Sequence, residues 1–126
     1  MATTKFPTLE EALELHRVLL ERFGGSSGMR DLGALESALF RPQTGYYDSL
    51  ATQAAALMQS LAMNHAFVDD NKRVAFALTA IFLRMNGFRL AASADDAERF
   101  VIDDLIKAHA SLDRVAAWLS AHMRRA

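Results

Sequence analysis

The sequence predicts an all-α domain, a compact single-domain helical bundle spanning residues 1–126. Three observations lead there. Apolar residues recur at helical spacing behind Ser, Thr or Asp residues that can cap a helix. Two central stretches, Ser49 to Met63 and Val74 to Met85, are apolar nearly all round, as helices at the middle of a bundle are. No stretch alternates apolar and polar residues long enough to give a convincing sheet.

The elements follow in order. Thr8 and Glu11 form a capping box ahead of Leu9, Ala12, Leu13, Leu15, Val18, Leu19, Leu20 and Phe23. Gly24-Gly25 stops that helix, and the run through Gly28 reads as a helix–helix connector. It is no P-loop, because no Gly-Lys-Ser/Thr follows and no strand precedes it. Asp31 caps a short helix carrying Leu35, Ala38 and Leu39. Arg41 to Asp48, with Pro42, Gly45, Tyr46 and Tyr47, reads as a loop whose tyrosine pair serves in packing, with contact to a substrate as the alternative. The two central helices follow, and Asn86-Gly87 ends the second. Phe88-Arg89-Leu90 is a brief extended segment. Ser93 caps a helix with Phe100, Val101, Leu105 and Ile106, and Ser111 caps a last one with Val115, Trp118, Leu119 and His122. Met123 to Ala126 are expected to fray.

Composition excludes several classes. With 14 basic and 15 acidic residues the chain has no basic excess, which argues against direct nucleic-acid binding. Without cysteine it has neither a disulfide framework nor a zinc–thiolate site. Charged or histidine residues interrupt every apolar stretch before it is long enough for a bilayer, so no membrane is expected. Met1 to Pro7 has no apolar signal core, and a cytoplasmic protein is the simplest expectation.

The stretch between the two central helices is the least ordinary. Asn64-His65-Ala66-Phe67-Val68-Asp69-Asp70-Asn71-Lys72-Arg73 mixes His, Asp, Asn, Lys and Arg where a connector usually has Gly, Ser and Pro. It runs into the second helix, so Asn71, Lys72 and Arg73 fall at its N-terminus. Unpaired N–H groups there attract phosphate. Lysine and arginine at that end oppose the helix dipole unless an anion is present. Arg73 can fork phosphate oxygens and Lys72 can act as a point charge. Asp69 or Asp70 can hold magnesium beside phosphate. His65 is suited to accept a hydroxyl proton near neutral pH. Blander roles are compatible with each residue alone. His65 as a packed histidine, Asp69 or Asp70 as an N-cap, and Arg73 in a surface ion pair all stay open. A zinc site from His65 and Asp69 lacks a third ligand. His16, His109 and His122 read as ordinary helical residues.

The nine residues His65 to Arg73 resemble the Fic/Doc superfamily signature, His-x-Phe-x-(Asp/Glu)-x-Asn-(Gly/Lys)-Arg, at all six defining positions. Gly28-Met29-Arg30-Asp31 with Leu35-Glu36-Ser37-Ala38-Leu39 looks like the N-terminal half of Doc-type (death-on-curing) toxins. So does Phe82-Leu83-Arg84-Met85-Asn86-Gly87-Phe88. By eye the resemblance covers roughly residues 8–90, and its motif is specific.

The resemblance implies a Fic/Doc-like bundle with the motif loop between the central helices. It implies His65 as general base, Asp69 as the magnesium-positioning residue, and Asn71, Lys72 and Arg73 as phosphate ligands, with Lys72 and Arg73 in the catalytic set and Phe67 as anchor. The loop from Arg41 to Asp48 falls where relatives have a flap for the target segment. Members that transfer AMP usually carry Gly where this chain has Lys72. Doc-type members carry Lys and phosphorylate a threonine of elongation factor Tu with the ATP γ-phosphoryl group, halting translation. The expectation is therefore a toxin kinase using ATP and magnesium. Alternatives are an AMP transferase and a catalytically weak module that binds antitoxin only. No inhibitory (Ser/Thr)-x-x-x-Glu pattern occurs here. Restraint is thus expected from a separate antitoxin. Asp70 departs from the family's usual Gly or Ala. A carboxylate there can repel nucleotide, recruit a second magnesium ion or face solvent, and it counts as a candidate cofactor-site residue.

Overall fold

The computed structural model describes residues 3–126. Met1 and Ala2, part of the stretch read for a signal core, lie outside the described residues. The chain forms helices α1 (Leu9–Phe23), α2 (Leu32–Phe40), α3 (Leu50–Met63), α4 (Asn71–Met85), α5 (Ala94–Arg99) and α6 (Leu112–His122). Five of the six are capped by a side chain, four of them by the residue that the sequence predicts. The side chains of Thr8, Asp31, Ser49, Ser93 and Ser111 each accept a first-turn backbone N–H. Helix α4 is the exception: Asp70 stands at its N-cap and makes no capping bond.

Helix α3 is the centre. Ala54 to Met58, Ser60, Leu61 and Ala62 are buried, and it packs against both α4 and α6. Its alanines let neighbouring helices approach closely, and Leu57, Met58 and Leu61 fill the space between them. Helix α4 buries Val74, Ala75, Leu78, Thr79, Phe82 and Leu83, the one-sided spacing of a core-facing helix. Thr79 is buried because its hydroxyl donates to the Ala75 carbonyl at 2.7 Å.

Four expectations need correction. First, Met123 to Ala126 do not fray. Met123–Arg125 (β2) pairs antiparallel with Phe88–Leu90 (β1), Phe88 opposite Arg125 and Leu90 opposite Met123. A small sheet therefore exists, because each segment supplies the other's unpaired backbone groups. Second, the helix after Ser93 changes type. From Phe100 to Lys107 it is π-helical, with Ala108 N–H reaching back five residues to the Asp103 carbonyl. Third, the segment read as a loop from Arg41 to Asp48 opens with a 3-10 turn over Arg41–Gln43. Fourth, His109 lies in the turn before α6 with φ +52°, outside any helix. The tyrosine pair does meet edge to face at 5.2 Å, although Tyr46 is 83% exposed and only Tyr47 reaches the protein body.

Candidate active site

The loop from Asn64 to Asp70 joins α3 to α4 and is held by its backbone at both ends. His65 and Asp70 both adopt left-handed conformations, φ +50° and +69°. Non-glycine residues do so rarely, and such outliers concentrate at functional sites. Between these two bends, Phe67 is 2% exposed and forms a bridge with Met29. The N–H groups of Arg30 and Asp31 both donate to the Ala66 carbonyl, and Val68 N–H donates to the Gly28 carbonyl. The Gly28-Met29-Arg30-Asp31 segment is thus the loop's clamp. Gly28 sits at φ +126°, and a Cβ there would meet Val68 at 3.2 Å.

Each motif side chain then has a definite setting. Asn71 closes a ring on Phe67: its Oδ1 accepts from Phe67 N–H at 3.0 Å and its Nδ2 donates to the Phe67 carbonyl at 2.9 Å. Its amide is a brace, and what it offers a ligand is its backbone. The Asp69 carboxylate accepts from the N–H of Ser26 at 3.1 Å and from that of Asp70 at 2.9 Å. These two backbone bonds, Ser26's first, hold its pKa below the ordinary 3.8, with smaller help from Arg73 and His16. Asp69 is therefore ionised at neutral pH. A Cβ on Gly25 would stand 3.0 Å from its Oδ2, so the connector's glycine makes room for the carboxylate.

Asp70 is different. Its side chain is 5% exposed, its Oδ1 accepts from Arg73 at 2.8 Å, and its Oδ2 is buried without a partner. Arg73 is held on the other side by the Phe23 ring, 4.7 Å from the guanidinium carbon. Lys72 is exposed and makes no ion pair among the described residues. His65 is exposed and makes no hydrogen bond within the described residues, so its ring is free to meet an incoming group.

All six residues line one cleft of about 430 Å³. Its far wall comes from α5 and the π-helix through Glu98, Ile102 and Ile106. The uncapped N-terminus of α4 opens here, with the N–H groups of Asn71, Lys72 and Arg73 unclaimed by the helix. A mixed wall, apolar on one side and rich in donors on the other, suits a nucleotide. For magnesium, no three acidic or histidine groups among the described residues converge. Of the two motif carboxylates Asp69 is the exposed one, ionised and with lone pairs to spare. That fits an ion shared with phosphate oxygens better than one caged by protein.

Sequence reasoning passed over the support behind this loop. His16, read as ordinary, is 6% exposed and stacks on Phe67 with centroids 3.8 Å apart. Its Nε2 lies 3.0 Å from the Asp69 carbonyl oxygen and donates to it. The signal was available, since residues 12, 16 and 19 form one helical stripe. Nothing in the chain marked Glu98, Ile102 or Phe23 as neighbours of the motif.

These features define a helical domain that presents an uncapped helix, two cations and a free imidazole to one cleft. A family model described as the Fic/DOC family matches residues 6–83, and the chain belongs to that family. It is 45% identical over 104 residues to Toxin Doc of Mycolicibacterium smegmatis, covering 78% of this chain and 80% of that protein. It is 34% identical over 93 residues to Protein kinase doc of Escherichia phage P1, covering 71% of this chain and 74% of that one. Among the described residues no helix is long and apolar enough to cross a membrane.

Proposed function

We propose that this chain is the Doc-type toxin of a toxin–antitoxin module, a protein kinase that transfers the ATP γ-phosphoryl group to a threonine hydroxyl of elongation factor Tu. The observation that carries this reading is the uncapped α4 N-terminus, with Lys72 and Arg73 beside it and His65 on the same cleft. The names of the two relatives, a toxin and a protein kinase, agree with it. Phosphoryl transfer asks mainly for alignment and charge neutralisation. The α4 N–H groups, Lys72 and Arg73 supply both for the phosphates. His65 takes the hydroxyl proton as the new O–P bond forms and the bridging O–P bond breaks, releasing ADP. Magnesium, positioned by Asp69, would neutralise charge on the phosphates. Lys72 stands where a glycine would let phosphate reach the backbone, which favours γ-transfer over AMP transfer.

The Asp70–Arg73 ion pair favours a second reading, a catalytically weak module that retains antitoxin binding. Label transfer to elongation factor Tu from ATP labelled at the γ or the α phosphate separates these, with His65→Ala as control. Label from the γ position alone is expected. Label from the α position would make the chain an AMP transferase. If neither label moves, even with Asp70→Gly, the weak-module reading stands.

A further inference from the structure

A second polar cavity, of about 240 Å³, lies around the C-terminal end of α3 from the motif cleft. It is lined by Arg41, Gln59, Ser60, Asn64 and His109, over an apolar floor. Asn64 immediately precedes His65.

Arg41 is its unusual member. The guanidinium is held in one pose. Its Nε donates to the Tyr47 hydroxyl at 2.8 Å, and its Nη1 donates to Gln59 Oε1 and Ser60 Oγ, both at 3.0 Å, and to the Ala56 carbonyl at 3.4 Å. Every one of these partners is neutral. No ion pair among the described residues includes Arg41, and its Nη2 has no partner there. A half-buried charge is normally compensated by an opposite one. Here no carboxylate compensates it: the Tyr47 ring lies 5.5 Å from the guanidinium carbon, Nε and Nη1 are engaged, and Nη2 stays open on a fixed guanidinium, a preorganised donor for an anion.

We propose that this cavity binds one carboxylate, that of an Asp or Glu side chain on the protein segment whose hydroxyl is presented to His65. The single guanidinium matches one singly charged planar group. A dianionic phosphate would leave charge uncompensated, because the other polar lining groups carry no fixed positive charge. The cavity has room for a side chain but not for a nucleotide. The assignment rests on the reading of the chain as an enzyme with a protein hydroxyl as acceptor.

The test is a titration of the wild-type protein, ¹⁵N-labelled at arginine, with N-acetylglutamate methylamide, following the Arg41 Nε–H resonance. A saturable shift is expected, with none from the glutamine analogue. No saturable shift overturns the site, and tighter saturation by the phosphoserine analogue overturns its assignment to carboxylates. In transfer to elongation factor Tu, Arg41→Lys keeps the charge and loses the fixed Nη2 donor. It should raise the KM for the protein about tenfold, as loss of one charge-assisted bond does, and leave the KM for ATP unchanged. Unchanged KM values for both would overturn the substrate-docking role. The titration needs no turnover, so absent transfer to elongation factor Tu would count against the proposed reaction and leave the carboxylate site standing.

Discussion

Asp70 combines three costs in one residue: a left-handed backbone at φ +69°, a buried side chain, and a carboxylate oxygen without a partner. It also occupies Arg73, the fork best suited to phosphate. Asp70→Gly should remove the conformational strain, of about 1 kcal/mol, and release Arg73. Thermal unfolding should show a higher Tm, and calorimetric titration should show tighter ATP binding. Unchanged affinity would mean that Arg73 leaves Asp70 readily when phosphate arrives. His65→Ala should behave in the opposite way. The ring holds nothing in place, so stability should stay within about 0.5 kcal/mol, while transfer falls by about 10²–10⁴. Asp69 carries a pH dependence. Its folded pKa is depressed, so its stabilisation is present above the ordinary aspartate range and is lost as pH falls through the folded value. Hydrogen-exchange protection of the Ser26 N–H should therefore persist down to the acidic side of 3.8 and then collapse.

At the scale of elements, the site is a loop stretched between α3 and α4 and braced from α1. His16 does the bracing through its ring and its Nε2. His16→Ala leaves a void against Phe67 and an unpaired Asp69 carbonyl, and should destabilise the domain by about 2–4 kcal/mol. His16→Gln retains a donor and should recover part of that loss. Equal stability of the wild type and His16→Ala, read from urea midpoints, would refute the bracing. The helices themselves were legible in the chain because their signals are local. Thr8, Asp31, Ser93 and Ser111 cap as read, Ser49, read as the first residue of α3, caps it instead, and the apolar spacing of α3 and α4 marks their burial. The π-helical turn was not legible. Over eight residues its apolar pattern is indistinguishable from that of an α-helix, although it decides that Ile102 and Ile106 face the cleft.

Over the whole molecule, segments from both sides meet at the C-terminal half of α4. Asn86 exchanges two hydrogen bonds with Lys5, and Phe6 stacks on Phe82. From the other side β2 pairs with β1, and Ala126 N–H donates to the Gly87 carbonyl at 3.0 Å. Deleting residues 123–126 should cost about 1–3 kcal/mol and remove exchange protection from β1, without changing the His65 cleft at the opposite end of α4. Unchanged protection of the β1 amides would show that the pairing does not persist in solution.

Composition and local pattern alone were enough for the helical class, four of the six caps and the stretch that carries the chemistry. Each depends on residues within a few positions of one another, where capping bonds and helical spacing act. The same chain read in one dimension could not show that Gly25 and Ser26 receive Asp69, that His16 supports Phe67, or that Arg41 faces a cavity with no anion to balance it. Those pairs lie tens of residues apart, and only packing around α3 brings them within reach. The terminal strand was misread for a related reason. Met123–Arg125 has little structure of its own, and it is ordered by the unpaired backbone of a segment far behind it in the sequence.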